Sequence, residues 1–278
     1  MATYRQLKGY SVKSVTSNPD NSKPGQVWYN STQSKINSNL TIAASWASGE
    51  NLGTARMSLA GCGTQTEGLA FGGATVPFPS TARNETEEYN GSSWSEQNNL
   101  GTARGNLAGC GTQTAGLAFG GYTTSALNDT EHYDGSSWTA NGNLNTPNYQ
   151  FAAAGTQTAA LAFGGQTPTK KQTEEYNGNS WTSVPAVLNT GVFNMAGAGT
   201  QTAAVSMLGR STDNVVATEL YDGTSWTATA NATTARRQLA GAGTQPSALA
   251  FGGYTTTNVN STEEFTGAVD TVRSFDVS

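Results

Sequence analysis

Apolar residues in this chain come in short bursts, each closed by glycine or by a polar turn. Leu117-Ala118-Phe119 runs into Gly120-Gly121, a polar loop follows, and Thr130-Glu131-His132-Tyr133 then ends on an aromatic just before Asp134-Gly135. Bursts of this length, bounded by Gly, Asn and Asp, predict strands of a few residues joined by tight turns, with no long helices.

The bursts repeat. The string Gly-Thr-Gln begins at Gly63, Gly111, Gly155, Gly199 and Gly243, giving spacings of 48, 44, 44 and 44 residues. Within one repeat the pattern predicts four strands: about 106–110, 116–119 and 130–133, and a fourth around Trp138. The pairs Asn90-Gly91, Asp134-Gly135, Asn177-Gly178 and Asp222-Gly223 are read as type I′ turns between the third and fourth strands. A four-stranded antiparallel unit of this period predicts a propeller blade.

The double glycine ending the second strand, together with a tryptophan in the fourth, resembles the kelch repeat. The expected fold is therefore all-β: a five-bladed kelch-like β-propeller over residues 41–267. The fourth repeat departs most, with Met207-Leu208-Gly209 in place of Phe-Gly-Gly. Trp46 precedes Asn51-Leu52-Gly53-Thr54-Ala55-Arg56 as Trp94 precedes Asn99-Leu100-Gly101-Thr102-Ala103-Arg104. The Trp46 segment is thus expected to complete the last blade, which has no tryptophan of its own; the alternative is the segment Val272–Val277.

Residues 1–40 lie outside the blades, as does the tail 268–278. Gly25-Gln26-Val27-Trp28-Tyr29-Asn30-Ser31 through Ile36 predicts a small β-hairpin, expected to attach the propeller through Trp28 and Tyr29 to a partner or to copies of the same chain. This hairpin followed by Gly-Thr-Gln-Thr-Ala blades resembles virion or tail-associated proteins of marine bacteriophages. The resemblance implies a location in the phage particle, other virion proteins as partners, and a host-surface glycan or protein as a possible ligand. A glycan-active enzyme and a bacterial adhesion or scaffold protein are the competing expectations.

Composition narrows the chemistry. A formal net charge of −5 argues against nucleic acid as a partner. No apolar run reaches the roughly 20 residues of a membrane-spanning helix, so membrane insertion is not expected. The single histidine, His132, stands where other repeats carry Glu88, Glu175 and Glu264; it reads as a variable surface residue, and no catalytic residue, metal site or cofactor is expected. Cys62 and Cys110 occupy a position filled by Ala154, Ala198 and Ala242 elsewhere and are expected to be free thiols.

Glu87, Glu131, Glu174, Glu219 and Glu263 recur in every repeat and need hydrogen-bond donors if partly buried. Arg56, Arg104 and Arg236 could serve three of them. Asn148 and Val192 hold the matching positions in the other two repeats, where backbone or threonine donors must serve. Ligand binding is expected on the loops that vary between repeats, carried by Phe78, Tyr122, Lys170, Lys171, Arg210 and Tyr254.

Overall fold

The computed structural model describes residues 13–17, 27–38, 49–76 and 81–267. The chain divides into two compact units, Met1–Ser48 and Gly49–Ser278. In the first, Val27–Asn30 and Lys35–Ser38 form the expected antiparallel hairpin, and the Asn30 side chain accepts from the Gln33 amide at 3.0 Å across its turn. A third strand, Lys13–Val15, pairs parallel to Val27–Asn30; nothing in the local sequence pattern announced it. Tyr29 is half-buried.

The second unit is all-β, five antiparallel sheets succeeding one another as the blades of a propeller. Blade 2 shows the plan: Ala108–Thr112, Ala115–Phe119, Thr130–Tyr133 and Trp138–Asn141, each strand antiparallel to the next, with Cys110 opposite Leu117 and Tyr133 opposite Trp138. Blades 1, 3 and 4 repeat it. Blade 5 has three described strands, Ala240–Thr244, Ser247–Phe251 and Thr262–Thr266. Trp46 and Val272–Val277, the two alternatives for its fourth strand, lie outside the described residues.

One set of contacts is repeated between successive blades. The second-strand phenylalanine of each of blades 1 to 3 meets the fourth-strand tryptophan of the next: Phe71–Trp138, Phe119–Trp181 and Phe163–Trp226, with ring centroids 4.9, 4.7 and 4.9 Å apart. Each of these indoles donates to a threonine of the preceding blade, as Trp181 does to Thr130 at 2.9 Å.

The first strands must be lined with small residues to pass this aromatic layer. A Cβ on Gly109 would lie 2.4 Å from the Phe71 ring, which is why glycine stands there. Blade 4 lacks Phe-Gly-Gly and packs on blade 5 through Met207 and Leu208: Leu208 adopts φ 59°, the left-handed backbone that Gly120 takes in blade 2, and lies buried in the apolar cluster between blades 4 and 5.

Two expectations change at the turns. The third-to-fourth strand connections are four residues long, and only their glycines have positive φ, Gly135 at 91°. Asp134 holds its turn by accepting the Ser136 and Ser137 amides at 2.9 and 2.8 Å, so these are side-chain-capped turns and not type I′ hairpins. Gln113, read as part of a turn, instead reaches the preceding blade, its amide donating to the carbonyls of Gly68 and Tyr89 at 3.1 and 2.7 Å. Gln157, Gln201 and Gln245 do the same at the next three junctions.

Between blade 5 and blade 1 none of these contacts is present among the described residues. Gln65, the matching glutamine of blade 1, is exposed, and Phe251 and Leu249 of blade 5 remain 39% and 38% exposed.

Candidate functional site

The sheets converge on an axial cavity of about 800 Å³, lined from all five blades. Its wall is built from two successive positions per blade. Ser58, Asn106, Gln150, Asn194 and Gln238 form a polar tier, and Leu59, Leu107, Phe151, Met195 and Leu239 form an apolar tier beside it. All five polar residues have φ between 52° and 57°, a left-handed conformation uncommon outside glycine.

Their backbones compensate by linking to one another. Asn106 donates to the Ser58 carbonyl, Gln150 to Asn106, Asn194 to Gln150 and Gln238 to Asn194, at 2.8, 3.0, 2.8 and 2.8 Å. The same five residues line the cavity. The sequence did carry a sign of this tier: Ser, Asn or Gln stands five residues ahead of every Gly-Thr-Gln glycine. It was missed because Asn106 was read as the first residue of a strand, which the structure begins at Ala108.

One step along the chain from the polar tier, toward the variable loops, is a collar of paired positions. Isolated bridges join Met57 to Ala74, Gly105 to Tyr122, Phe193 to Arg210 and Arg237 to Tyr254. In blade 3 the Gln166 amide donates to the Tyr149 carbonyl at 3.0 Å. The rings of Tyr122 and Tyr149 lie 4.8 Å apart, the Lys170 ammonium is 4.8 Å from the centre of the Phe193 ring, and the Arg237 guanidinium is 4.6 Å from that of Tyr254.

Of the residues expected to bind a ligand, Tyr122, Lys170, Arg210 and Tyr254 belong to this collar, and Tyr254 also lines the cavity. Lys171 points to another connection, donating to the Asn189 carbonyl at 2.6 Å. Phe78 lies outside the described residues, and of the expected attachment pair the Trp28 side chain does too.

The recurring glutamates are structural ties. Each accepts the backbone N–H of the connector entering its own blade: Gly53 to Glu87, Gly101 to Glu131, Asn145 to Glu174, Asn189 to Glu219 and Thr233 to Glu263, all at 2.7–2.8 Å. Arg56, Arg104 and Arg236 pair with Glu87, Glu131 and Glu263 at 2.7, 3.0 and 2.9 Å. In blades 3 and 4 the extra donors are the backbone amides of Thr146 and Thr190 and the side-chain amides of Asn145 and Asn189.

His132 is not a free surface residue. It is half-buried, and its Nε2 meets the Tyr176 hydroxyl of the next blade at 2.7 Å, at the position where Glu88 and Glu175 accept from Tyr133 and Tyr221. Burial holds the imidazole below its ordinary pKa. Cys62 and Cys110 are free; burial pushes the Cys62 thiol up to about 12 and Cys110 higher still. Their sulfurs face the Thr112 and Thr156 carbonyls of the following blades at 3.5 Å.

Among the described residues no three His, Cys, Asp or Glu side chains are grouped to hold a metal ion, and no helix is long and apolar enough to cross a membrane. The chain matches no protein-family model and no curated protein.

Proposed function

We propose that this chain is a non-catalytic recognition module of a phage particle, whose propeller binds a host-surface glycan at the axial cavity and collar while the N-terminal hairpin unit serves attachment. The observation carrying the glycan reading is the make-up of the cavity. Amides from four blades and a hydroxyl from the fifth offer donors and acceptors at fixed positions, beside an apolar tier and a mouth bearing Tyr254, Tyr149 and Tyr122. A sugar presents that same alternation, hydroxyls around its rim and C–H groups on its faces, and a rigid concave site with few convergent polar groups suits it.

The described lining residues include no carboxylate, whereas glycoside hydrolysis commonly uses a pair of them flanking the bond to be cut. The chain's repeated glutamates are occupied in tying connectors. This favours retention of a glycan over its cleavage.

Glycan binding is tested by calorimetry with oligosaccharides from candidate host surfaces, comparing the native chain with Gln150→Ala and Tyr149→Ala. Weakened binding in both variants, with unchanged thermal unfolding, is expected; equal binding in all three chains removes the cavity as the site. The particle assignment is tested separately by antibody detection in purified virions, and its absence from them overturns that assignment alone.

A further inference from the structure

We infer that the ligand of the collar is an acidic glycan, its sugars carrying carboxylate or sulfate groups, and that Lys170, Arg210 and Arg237 bind those groups; this rests on the glycan-binding reading above. The three cations belong to one continuous line of contacts across blades 3 to 5. Lys170 lies over Phe193, Phe193 bridges to Arg210, and Arg210 bridges to Asn214. Asn214 then accepts from Arg237 at 2.9 Å, and Arg237 stacks on Tyr254.

Each cation is held in place by neutral groups. Lys170 Nζ donates to the Ser211 carbonyl at 3.2 Å and Arg210 Nε to the Thr212 carbonyl at 3.1 Å. The ion pairs of the described residues involve Arg56, Arg83, Arg104 and Arg236, and none of these three. The variable loops of blades 3, 4 and 5, residues 166–172, 211–217 and 254–261, contain one carboxylate, Asp213, exposed on the loop after Arg210. In a chain of net charge −5 this is a local excess of positive charge, since Lys170, Lys171, Arg210 and Arg237 face that single acid.

The backbone adds to the case. Lys170 has φ 56°, a strained conformation for a residue with a long side chain, stabilised by its own N–H to Thr167 and by the Val192 amide donating to its carbonyl. That geometry sets the ammonium over Phe193, facing the arginine line. A guanidinium presents a planar fork matched to carboxylate or sulfate oxygens, and the adjoining Phe193 and Tyr254 rings offer apolar faces to the sugar.

The test uses the full chain in calorimetric titrations with three probes of equal length: oligogalacturonate for carboxylate, sulfated dextran oligosaccharide for sulfate, and unmodified dextran oligosaccharide as the neutral sugar. Each titration is run at low and at physiological salt. At least one acidic probe is expected to bind about tenfold or more tightly than the neutral one, with affinity falling as salt rises.

Arg210→Gln and Arg237→Gln should each weaken that probe by about tenfold, while Arg83→Gln, whose guanidinium pairs with Glu85 at 3.3 Å in blade 1, should leave it unchanged. The conservative Arg237→Lys keeps the charge and should retain part of the binding should Arg237→Gln fold poorly. Which acidic probe binds identifies the group recognised. Equal, salt-insensitive binding of neutral and acidic probes overturns this inference and leaves the glycan reading standing, whereas no binding of any probe overturns both.

Discussion

The glutamine ladder offers the sharpest test of how the blades are held together. Gln157→Ala would remove two hydrogen bonds, from its amide to the Gly116 and Tyr133 carbonyls at 3.0 and 2.6 Å, and both of those residues are buried. Losing two such bonds and orphaning two buried acceptors should cost about 2–4 kcal/mol. For a unit of this size that corresponds to a fall in Tm of about 5–10 °C.

Gln65→Ala is the matched control, because Gln65 occupies the same repeat position but is exposed; its cost should stay within about 0.5 kcal/mol. Urea unfolding followed by tryptophan fluorescence reads both, since Trp138, Trp181 and Trp226 sit at the junctions. Equal losses from the two substitutions would mean that blade 1 engages a fifth junction in solution and would refute the distinction. A negligible loss from Gln157→Ala would refute the ladder itself.

In the neutral tautomer with its proton on Nδ1, His132 accepts from the Tyr176 hydroxyl at Nε2, and burial keeps its folded-state pKa below the unfolded value of about 6.5. A depressed histidine pKa means that the unfolded chain takes up the proton first, so this contribution to stability is present above about pH 6.5 and is lost as pH falls below it. His132→Gln, which can still accept from Tyr176, should flatten that part of the Tm-versus-pH curve; parallel curves for native and variant chains would count against the pair. The buried Cys110, its thiol raised far above the ordinary value, should not react with a thiol reagent at pH 8 until the chain is unfolded, while the half-buried Cys62, raised to about 12, should react in the folded chain but more slowly than in the unfolded one. Prompt labelling of Cys110 in the folded chain would contradict its burial.

What could be read from the sequence was whatever repeats within a single blade. Strand number, the glycines after Phe119 and the aromatic ending each third strand recur at fixed spacing, and a period near 44 residues admits few architectures. The need of the recurrent glutamates for donors was also legible, because a carboxylate beside a core aromatic cannot stay unpaired. Contacts between blades were not. Gln113 stands in a turn by every local criterion, and only the stacking of blade 2 on blade 1 shows that its amide reaches the Gly68 and Tyr89 carbonyls. His132 was misjudged for the same reason, its partner Tyr176 being 44 residues away on the next blade. The Asp-Gly turns misled through composition: positive φ is required at the glycine alone, while the aspartate acts through its side chain.

The repeat also supplies a way to separate scaffold from site that no single blade could. A position that builds the propeller meets the same demand blade after blade, and so it keeps its chemistry: glutamate at the five connector ties, and glutamine in the Gly-Thr-Gln turns that reach across four junctions. The collar position that follows the second strand breaks this rule. Ala74, Tyr122, Arg210 and Tyr254 make the same kind of backbone bridge, and Gln166 the matching amide-to-carbonyl bond, yet their side chains run from a methyl to a guanidinium. Ala74 is fully buried, but Tyr122, Gln166, Arg210 and Tyr254 are half-buried on the same backbone, so what these four offer to solvent is free to be set by what they meet there. Arg210, one of the cations gathered in blades 3 to 5, stands at this position, and on the proposal made above its charge serves recognition of an acidic ligand.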